Sequence, residues 1–216
     1  MRRRDVLAAI GVAAVGGAAL GQALPGLRAM EAHAGPETLR FLAGVSGWGL
    51  PAAGPAGSKL LAVDFFDYHC PYCRAMEPVL DSWLRDNPDL RLIFAEYPIL
   101  APDSVIATRL ALAAARQGRY LAAHRWLMRW RGRYTAAMAA PLAAAIGADG
   151  ARLARDMADP AFGTLLDRVK FAAARLEIQG TPALVSAAGI AEGFLPPAAL
   201  ATLVRGLRDG IGTRPA

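Results

Sequence analysis

The chain predicts an α/β domain interrupted by a block of helices, and three observations carry that prediction. Leu60-Leu61-Ala62-Val63-Asp64-Phe65-Phe66 is a short, nearly continuous apolar run with the aromatic content of a strand buried on both faces. From Asp103 to about Ile178 the apolar residues recur at three- and four-residue spacing, the period of a helix. Beyond that block, Ala183–Ser186 and Gly189–Phe194 flank Ala187-Ala188 as a hairpin would, and Pro197 opens a last helix, Ala198–Arg208. The order is β-α-β, a helical block, then β-β-α, with no internal repeat.

Composition bounds the function classes. The 216 residues are 55% hydrophobic and 19% charged, enough apolar side chain to close a core, which excludes intrinsic disorder. After residue 27 a run of eighteen residues without a charge occurs only around Phe41–Gly57, which Gly and Pro interrupt, so a multi-pass membrane protein is excluded too. The net charge of +6 invites a nucleic-acid reading, but the basic residues are scattered along helices without the aromatic interleaving of a phosphate-tracking stripe. No nucleic-acid partner is therefore expected.

The N-terminus has the three parts of an export signal. Arg2-Arg3-Arg4 is basic, Val6 to Leu20 is apolar and rich in Ala and Gly, and Gly21-Gln22-Ala23 offers small residues for cleavage. Arg3-Arg4-Asp5-Val6-Leu7 is similar to a twin-arginine motif. Residues 1–23 are expected to be this leader, removed on export, or to anchor the chain in the membrane if retained. Either way the folded part is expected outside the cytoplasm, in the periplasm or its equivalent, where disulfides persist.

The remaining elements follow in order. Residues 36–50 predict a short helix and loop, and Pro51 to Ser58 a linker, so that 24–58 precede a compact domain over 59–212. The first strand ends at Asp67-Tyr68-His69-Cys70, and Pro71 starts a helix where its missing N–H costs nothing. That helix is expected to reach about Arg85 and to kink at Pro78. Asn87-Pro88-Asp89 is a turn and Leu90 to Glu96 a second strand. Ser104–Gln117, Tyr120–Trp130, Thr135–Ile146 and Phe162–Ile178 are the expected helices of the block, with Asp103 as an N-cap and Gly118, Gly147 and Gly180 as stops.

Cys70-Pro71-Tyr72-Cys73 carries the chemistry. Two cysteines separated by two residues at a helix start can close a small disulfide ring, and the first sulfur faces the unpaired N–H groups and positive dipole of the helix end. A thiolate of lowered pKa is both a competent nucleophile and a good leaving group, as disulfide exchange requires. Zinc would need two further ligands, and His33, His69 and His124 are dispersed, so neither metal nor cofactor is expected. A fixed structural disulfide remains the other reading of the pair.

Taken together, Val63 to Cys73, the Gly180-Thr181-Pro182 triplet and the intervening helical block resemble the thioredoxin superfamily, and within it the exported DsbA-like oxidoreductases. Glu96-Tyr97-Pro98-Ile99-Leu100 and Gly118-Arg119-Tyr120 are similar to a DsbA-like subgroup. The resemblance implies a thioredoxin-like fold with a helical domain, at about 103–178, inserted between the second strand and a cis-proline loop. It implies that Cys70 is the exposed reacting sulfur and Cys73 the buried partner, the two forming a catalytic disulfide. It also implies that Asp64 beneath the pair relays protons to or from Cys73, and that Thr181 and Pro182 pair with an extended substrate. Tyr72 and His69 flank Cys70 and are further candidates for substrate contact. DsbA has His where this chain has Tyr72, which points to a redox potential between those of DsbA and thioredoxin.

The function expected is donation of disulfides to cysteine-containing exported proteins, with a membrane partner of DsbB type restoring the oxidised pair. Two alternatives stay open: a reductase or isomerase kept reduced by a membrane electron donor, and an exported binding or chaperone module with a structural disulfide.

Overall fold

The computed structural model describes residues 34–212. The expected leader lies outside the described residues. Among the described residues, no helix is long and apolar enough to cross a membrane.

Helix α1 (Pro36–Val45) leads through a 3-10 turn into β1 (Ala52–Ala53). Then come β2 (Leu60–Phe66), α2 (Pro71–Asp86) and β3 (Leu90–Glu96), followed by helices α3 (Ser104–Ala115), α4 (Tyr120–Arg129), α5 (Ala139–Ile146), α6 (Gly150–Asp156) and α7 (Pro160–Arg175). The chain closes with β4 (Ala183–Ser186), β5 (Gly189–Glu192) and α8 (Pro197–Gly212). The strands form one sheet in the order β1-β3-β2-β4-β5. β2 and β3 are parallel, with Asp64 beside Phe94 and Phe66 beside Glu96, and the other pairings are antiparallel.

Alternation along β2 explains the unbroken apolar run. Leu60, Ala62 and Phe66 pack with Met76, Leu80 and Trp83 of α2 and with the helical block, while Val63 and Phe65 turn to the other face, against Phe41, Val45, Val169, Ala172 and Ala173. Burying each such side chain stabilises the fold by roughly 1.5–3 kcal/mol. Helices cover both faces, and the inserted block lies on the α2 side.

Several details differ from the sequence expectation. The stretch expected to be a linker contains β1, whose Ala52 and Ala53 pair with Ile93 and Leu92, and α1 buries Phe41 and Val45 on the sheet, so the core starts well before Lys59. Two residues are too few to display a strand period. Gly54 ends β1 at φ +85°, and a Cβ there would lie 1.8 Å from the Leu90 carbonyl oxygen, so only glycine fits. The last helix of the expected block, α7, begins beside the insertion through Phe162 but ends on the opposite face of the sheet through Val169 and Ala173.

The expected caps also change. Asp103 does not cap α3 with its side chain; that carboxylate accepts from the Tyr134 N–H at 2.8 Å and faces His69. The left-handed residue after α7 is Glu177, at φ 57°, three residues before Gly180. A short helix that the sequence did not predict, α6, is capped by Asp149, whose side chain accepts from the Arg152 N–H at 2.9 Å.

Candidate active site

β2 delivers its C-terminal end to the loop Asp67–Cys70, and Cys70 is the N-cap of α2. Pro71 at the first helical position leaves the remaining N–H groups of that turn aimed at the Cys70 sulfur, and the Cys73 N–H donates to it at 3.4 Å. The hairpin β4–β5 brings the second wall. Ala183 pairs with Phe65, which sets the preceding Thr181–Pro182 peptide, cis in the structure, opposite the cysteines. The Cys70 thiol donates to the Thr181 carbonyl at 3.2 Å, and the Gly193 N–H donates to the Pro182 carbonyl at 2.7 Å. Residues 111 positions apart thus meet at one sulfur.

Both cysteines are thiols here, the reduced half of the expected couple. Their environments drive them apart. Cys70 is lowered from an ordinary 9 to about 6, chiefly by the hydrogen bond with the Cys73 thiol; burial opposes this, while Thr181 and the backbone N–H groups of Cys73 and Tyr72 add to it. Cys73 is pushed far upward by burial, by Cys70 and by the nearby Asp64 charge, so it holds its proton. Asp64 is buried at 3% exposure, and burial followed by the Cys70 charge raises it to about 7. Its Oδ1 has no hydrogen-bond partner among the described residues. A buried carboxyl that titrates near neutrality can hand a proton on or take one up.

The other expected site residues are placed as follows. Tyr72 is 63% exposed beside Cys70, its ring in solvent. The Thr181 hydroxyl is buried without a hydrogen-bond partner among the described residues. The His69 ring is turned to the helical block, edge-on to Tyr134 with centroids 4.8 Å apart, and its Nε2 lies 3.1 Å from Asp103 Oδ1. No group of three or more His, Cys, Asp or Glu that could hold a metal occurs among the described residues.

Two supporting features escaped the sequence reading, and a third was marked only by resemblance. Asp67 is buried, and its carboxylate accepts four hydrogen bonds: Oδ1 from the His69 N–H at 2.7 Å and the Ser104 hydroxyl at 2.8 Å, Oδ2 from the N–H groups of Ile99 and Leu100 at 2.7 and 2.9 Å. One side chain therefore ties the cysteine loop to the end of β3 and the start of α3. The His69 contact is an Asx turn, so an aspartate closing a strand two residues before it was the available signal. Arg74 donates to the Tyr68 carbonyl at 2.6 Å and to the Tyr134 hydroxyl at 3.0 Å, clamping the same loop from the helix side. Glu96, which the sequence singled out only by resemblance, accepts from Tyr68 at 3.1 Å, Tyr120 at 2.9 Å and Thr108 at 3.0 Å. Burial outweighs those bonds and raises Glu96 to about 8, and it lowers the adjacent His124 to about 3. His124, stacked on Tyr120 at 5.7 Å, is a neutral core histidine.

Known proteins share this fold. The model of the DSBA-like thioredoxin domain matches residues 63–204. The chain belongs to that family. A thioredoxin-like oxidoreductase from Silicibacter pomeroyi DSS-3 is 31% identical, covers 77% of this chain and 94% of its own, and superposes with a TM-score of 0.68. A periplasmic thioredoxin-like protein from Salmonella enterica serovar Typhimurium is 26% identical over 82% of this chain and 98% of its own, with a TM-score of 0.70. The thiol-disulfide exchange protein alpha-DsbA2 from Wolbachia pipientis, 22% identical, shares the fold with a TM-score of 0.73 over 79% of this chain and 94% of its own. Among curated proteins, 77 residues are 31% identical to the Na(+)/H(+) antiporter NhaA 3 of Salinispora tropica, a match that takes in 35% of this chain and 12% of that one. The protein is a DsbA-like thiol–disulfide oxidoreductase with a thioredoxin-like fold.

Proposed function

We propose that the chain works outside the cytoplasm as a disulfide donor to cysteine-containing exported proteins, using Cys70 and Cys73 as its couple. The observation that carries this reading is the split within the pair, with Cys70 lowered to about 6 and Cys73 raised. In the oxidised protein a substrate thiolate attacks the Cys70 sulfur, the Cys70–Cys73 bond breaks, and Cys73 leaves. Cys73 is a poor leaving group as an anion, so it takes a proton, and protonated Asp64 is the buried acid placed to supply it, directly or through a water. A second substrate thiolate then attacks the substrate sulfur of the mixed disulfide and Cys70 leaves as a stabilised thiolate. The substrate has lost two electrons, and the dithiol holds them until a membrane partner of DsbB type removes them. Thr181 and Pro182 form the wall beside which the substrate backbone extends, with the exposed Tyr72 ring next to Cys70 open to the substrate and His69, turned to Tyr134 and Asp103, behind the loop.

Export is supported by the Arg3-Arg4-Asp5-Val6-Leu7 leader and by the Salmonella neighbour, which is described as periplasmic. A Cys70 held well below an ordinary thiol supports a potential between those of thioredoxin, roughly −270 mV, and DsbA, roughly −120 mV. The test is equilibration of the folded protein in graded glutathione buffers. Reversible conversion within minutes at an intermediate potential supports the reading; a pair that stays oxidised throughout is a structural staple and defeats it.

A further inference from the structure

From Ser104 to Ala148 the chain has seven arginines and not one aspartate or glutamate. Three of the seven are engaged with other elements: Arg109 donates to the carbonyls of Met157 and Asp159, Arg116 pairs with Asp156 and Asp159, and Arg125 grips Asp81 through two bonds of 2.7 Å. A fourth, Arg119, reaches the Gly147 carbonyl. The last three, Arg129, Arg131 and Arg133, are exposed within five residues of one another, and none has a carboxylate within 4 Å among the described residues. Arg129 acts on Glu77 only through its field, and Arg131 folds back onto the Met128 and Trp130 carbonyls.

This loop is a built structure. Trp126 and Trp130 stack with centroids 5.5 Å apart and planes 14° from parallel, and the Trp130 N–H closes the loop on the Arg133 carbonyl at 3.1 Å. A Cβ at Gly132 would lie 3.1 Å from that indole nitrogen, so glycine permits the close return. The next residue but one, Tyr134, fastens the loop to the active site: its ring packs on His69, and its hydroxyl bonds to Arg74 and lies 3.2 Å from the Tyr68 carbonyl. Three guanidinium groups without a carboxylate within 4 Å among the described residues, and an exposed indole, therefore stand on a loop that Tyr134 fastens to His69, the residue before Cys70, and to Arg74 of α2.

We propose that this arginine–tryptophan ledge after α4 recruits acidic segments flanking the reactive cysteine of polypeptide substrates. The proposal rests on the oxidoreductase reading and adds the substrate class. Arginine forks match carboxylates two bonds at a time, and Trp130 offers an apolar face to the stems between them. A lipid surface would satisfy the same charges, but it gives no account of why the ledge is fastened to the cysteine loop. Exposed pairs contribute little affinity each, so the effect appears in the association rate, where a like-signed cluster gives tenfold or more. Three exposed arginines place it at about tenfold at low salt, largely lost near 1 M, where screening acts within roughly 3 Å.

The experiment measures reduction of the oxidised protein by three single-cysteine peptides of equal length, flanked by Glu, Gln or Lys. Each rate constant is divided by that peptide's rate toward hydroxyethyl disulfide, a neutral reference that removes differences in thiol acidity. The expected result is a Glu-over-Gln ratio of about ten that falls toward one in high salt and in the combined Arg129→Gln, Arg131→Gln, Arg133→Gln variant. Combined replacement by Glu at the three positions is expected to invert the preference in favour of the Lys peptide. Exchange without charge preference, or a preference that survives the substitutions, overturns the ledge alone. Exchange with none of the peptides overturns the oxidoreductase reading and the ledge with it. Absence of peptide preference, with the wild type but not the Gln variant sedimenting on phosphatidylglycerol–phosphatidylcholine vesicles, assigns the ledge to lipid and overturns the proposal.

Discussion

Asp67→Asn is the substitution whose consequences the geometry fixes most closely. The Oδ2 side of the carboxylate meets two backbone donors, Ile99 and Leu100, while the Oδ1 side meets one backbone donor, His69, and one hydroxyl, Ser104. An asparagine therefore places its carbonyl toward Ile99 and Leu100 and its amide toward Ser104, whose hydroxyl can turn to accept. The His69 N–H is left facing another donor. Losing one charge-assisted bond costs about 1.5–3 kcal/mol, and converting the two bonds at Ile99 and Leu100 from charged to neutral acceptors adds to that, so a loss of roughly 2–4 kcal/mol is expected. Ser104→Ala, which removes a single hydroxyl donor from the same carboxylate, is expected to cost only about 1 kcal/mol. The damage falls one residue from Cys70, whose own N–H donates to the Asp67 carbonyl at 3.0 Å. As the loop loosens, the sulfur drifts from the helix N–H groups and Cys70 rises from about 6 toward an ordinary thiol. Urea denaturation of the reduced protein reads the first effect, and thiolate ultraviolet absorbance against pH reads the second. A variant within about 0.5 kcal/mol of wild type with an unmoved Cys70 titration would refute the idea that Asp67 positions the site.

Four further outcomes follow from the same structure. Because folded Cys70 titrates near 6 and an unfolded thiol near 9, its own contribution to the stability of the reduced protein, read as the difference between wild type and Cys70→Ala, is expected to rise with pH across that window and to fall as pH drops through 6; the full difference corresponds to about 4 kcal/mol, and water at the cleft reduces it to roughly 2, readable from denaturation of both proteins at several pH values. Asp64→Asn removes the acid beneath Cys73, so the breaking and re-forming of the internal disulfide at pH 7 should slow about a hundredfold in stopped-flow exchange, while the Cys70 sulfur remains open to alkylation. Glu96→Gln keeps an acceptor for Tyr68 and Tyr120 and a donor for Thr108. It should fold within about 1 kcal/mol of wild type and abolish the stability that wild type loses as pH rises from about 4.5 through 8, the sign set by a folded carboxyl titrating above its unfolded value. Arg3→Lys with Arg4→Lys is expected to block export by the twin-arginine route, and undiminished export in cell fractions would leave only the general secretory route.

What could be read from the sequence was local and periodic. The β2 run, the CPYC segment with its helix and the hairpin across Ala187-Ala188 each carry their signal within a few adjacent residues, and the structure has each of them. Family spacing marked Cys70, Cys73, Asp64, Thr181 and Pro182, and the structure brings these five together. The supports of the site were not legible in the sequence. Tyr134 reaches Arg74 across 60 residues, and Ser104 reaches Asp67 across 37, contacts that no window of periodicity contains. β1 was hidden because two alanines between glycines and prolines have no pattern, and the crossing of α7 to the far face of the sheet was hidden because its stripe shows that a face is buried without showing against what. The run of arginines was present in the sequence as a charge asymmetry, but without the fold the link through Tyr134 to His69 could not be seen.

The central claim is that Cys70 is the reacting sulfur and Cys73 the one that resolves it, and trapping on a non-reducing gel tests this most directly. With Cys73→Ala, mixed disulfides between Cys70 and substrate proteins are expected to accumulate, because Cys73 is no longer there to attack Cys70 and release the substrate, and only attack by a second substrate thiol remains; with Cys70→Ala, neither adducts nor exchange should appear. Adducts that accumulate in Cys70→Ala and are missing in Cys73→Ala would contradict the assignment and the mechanism built on it.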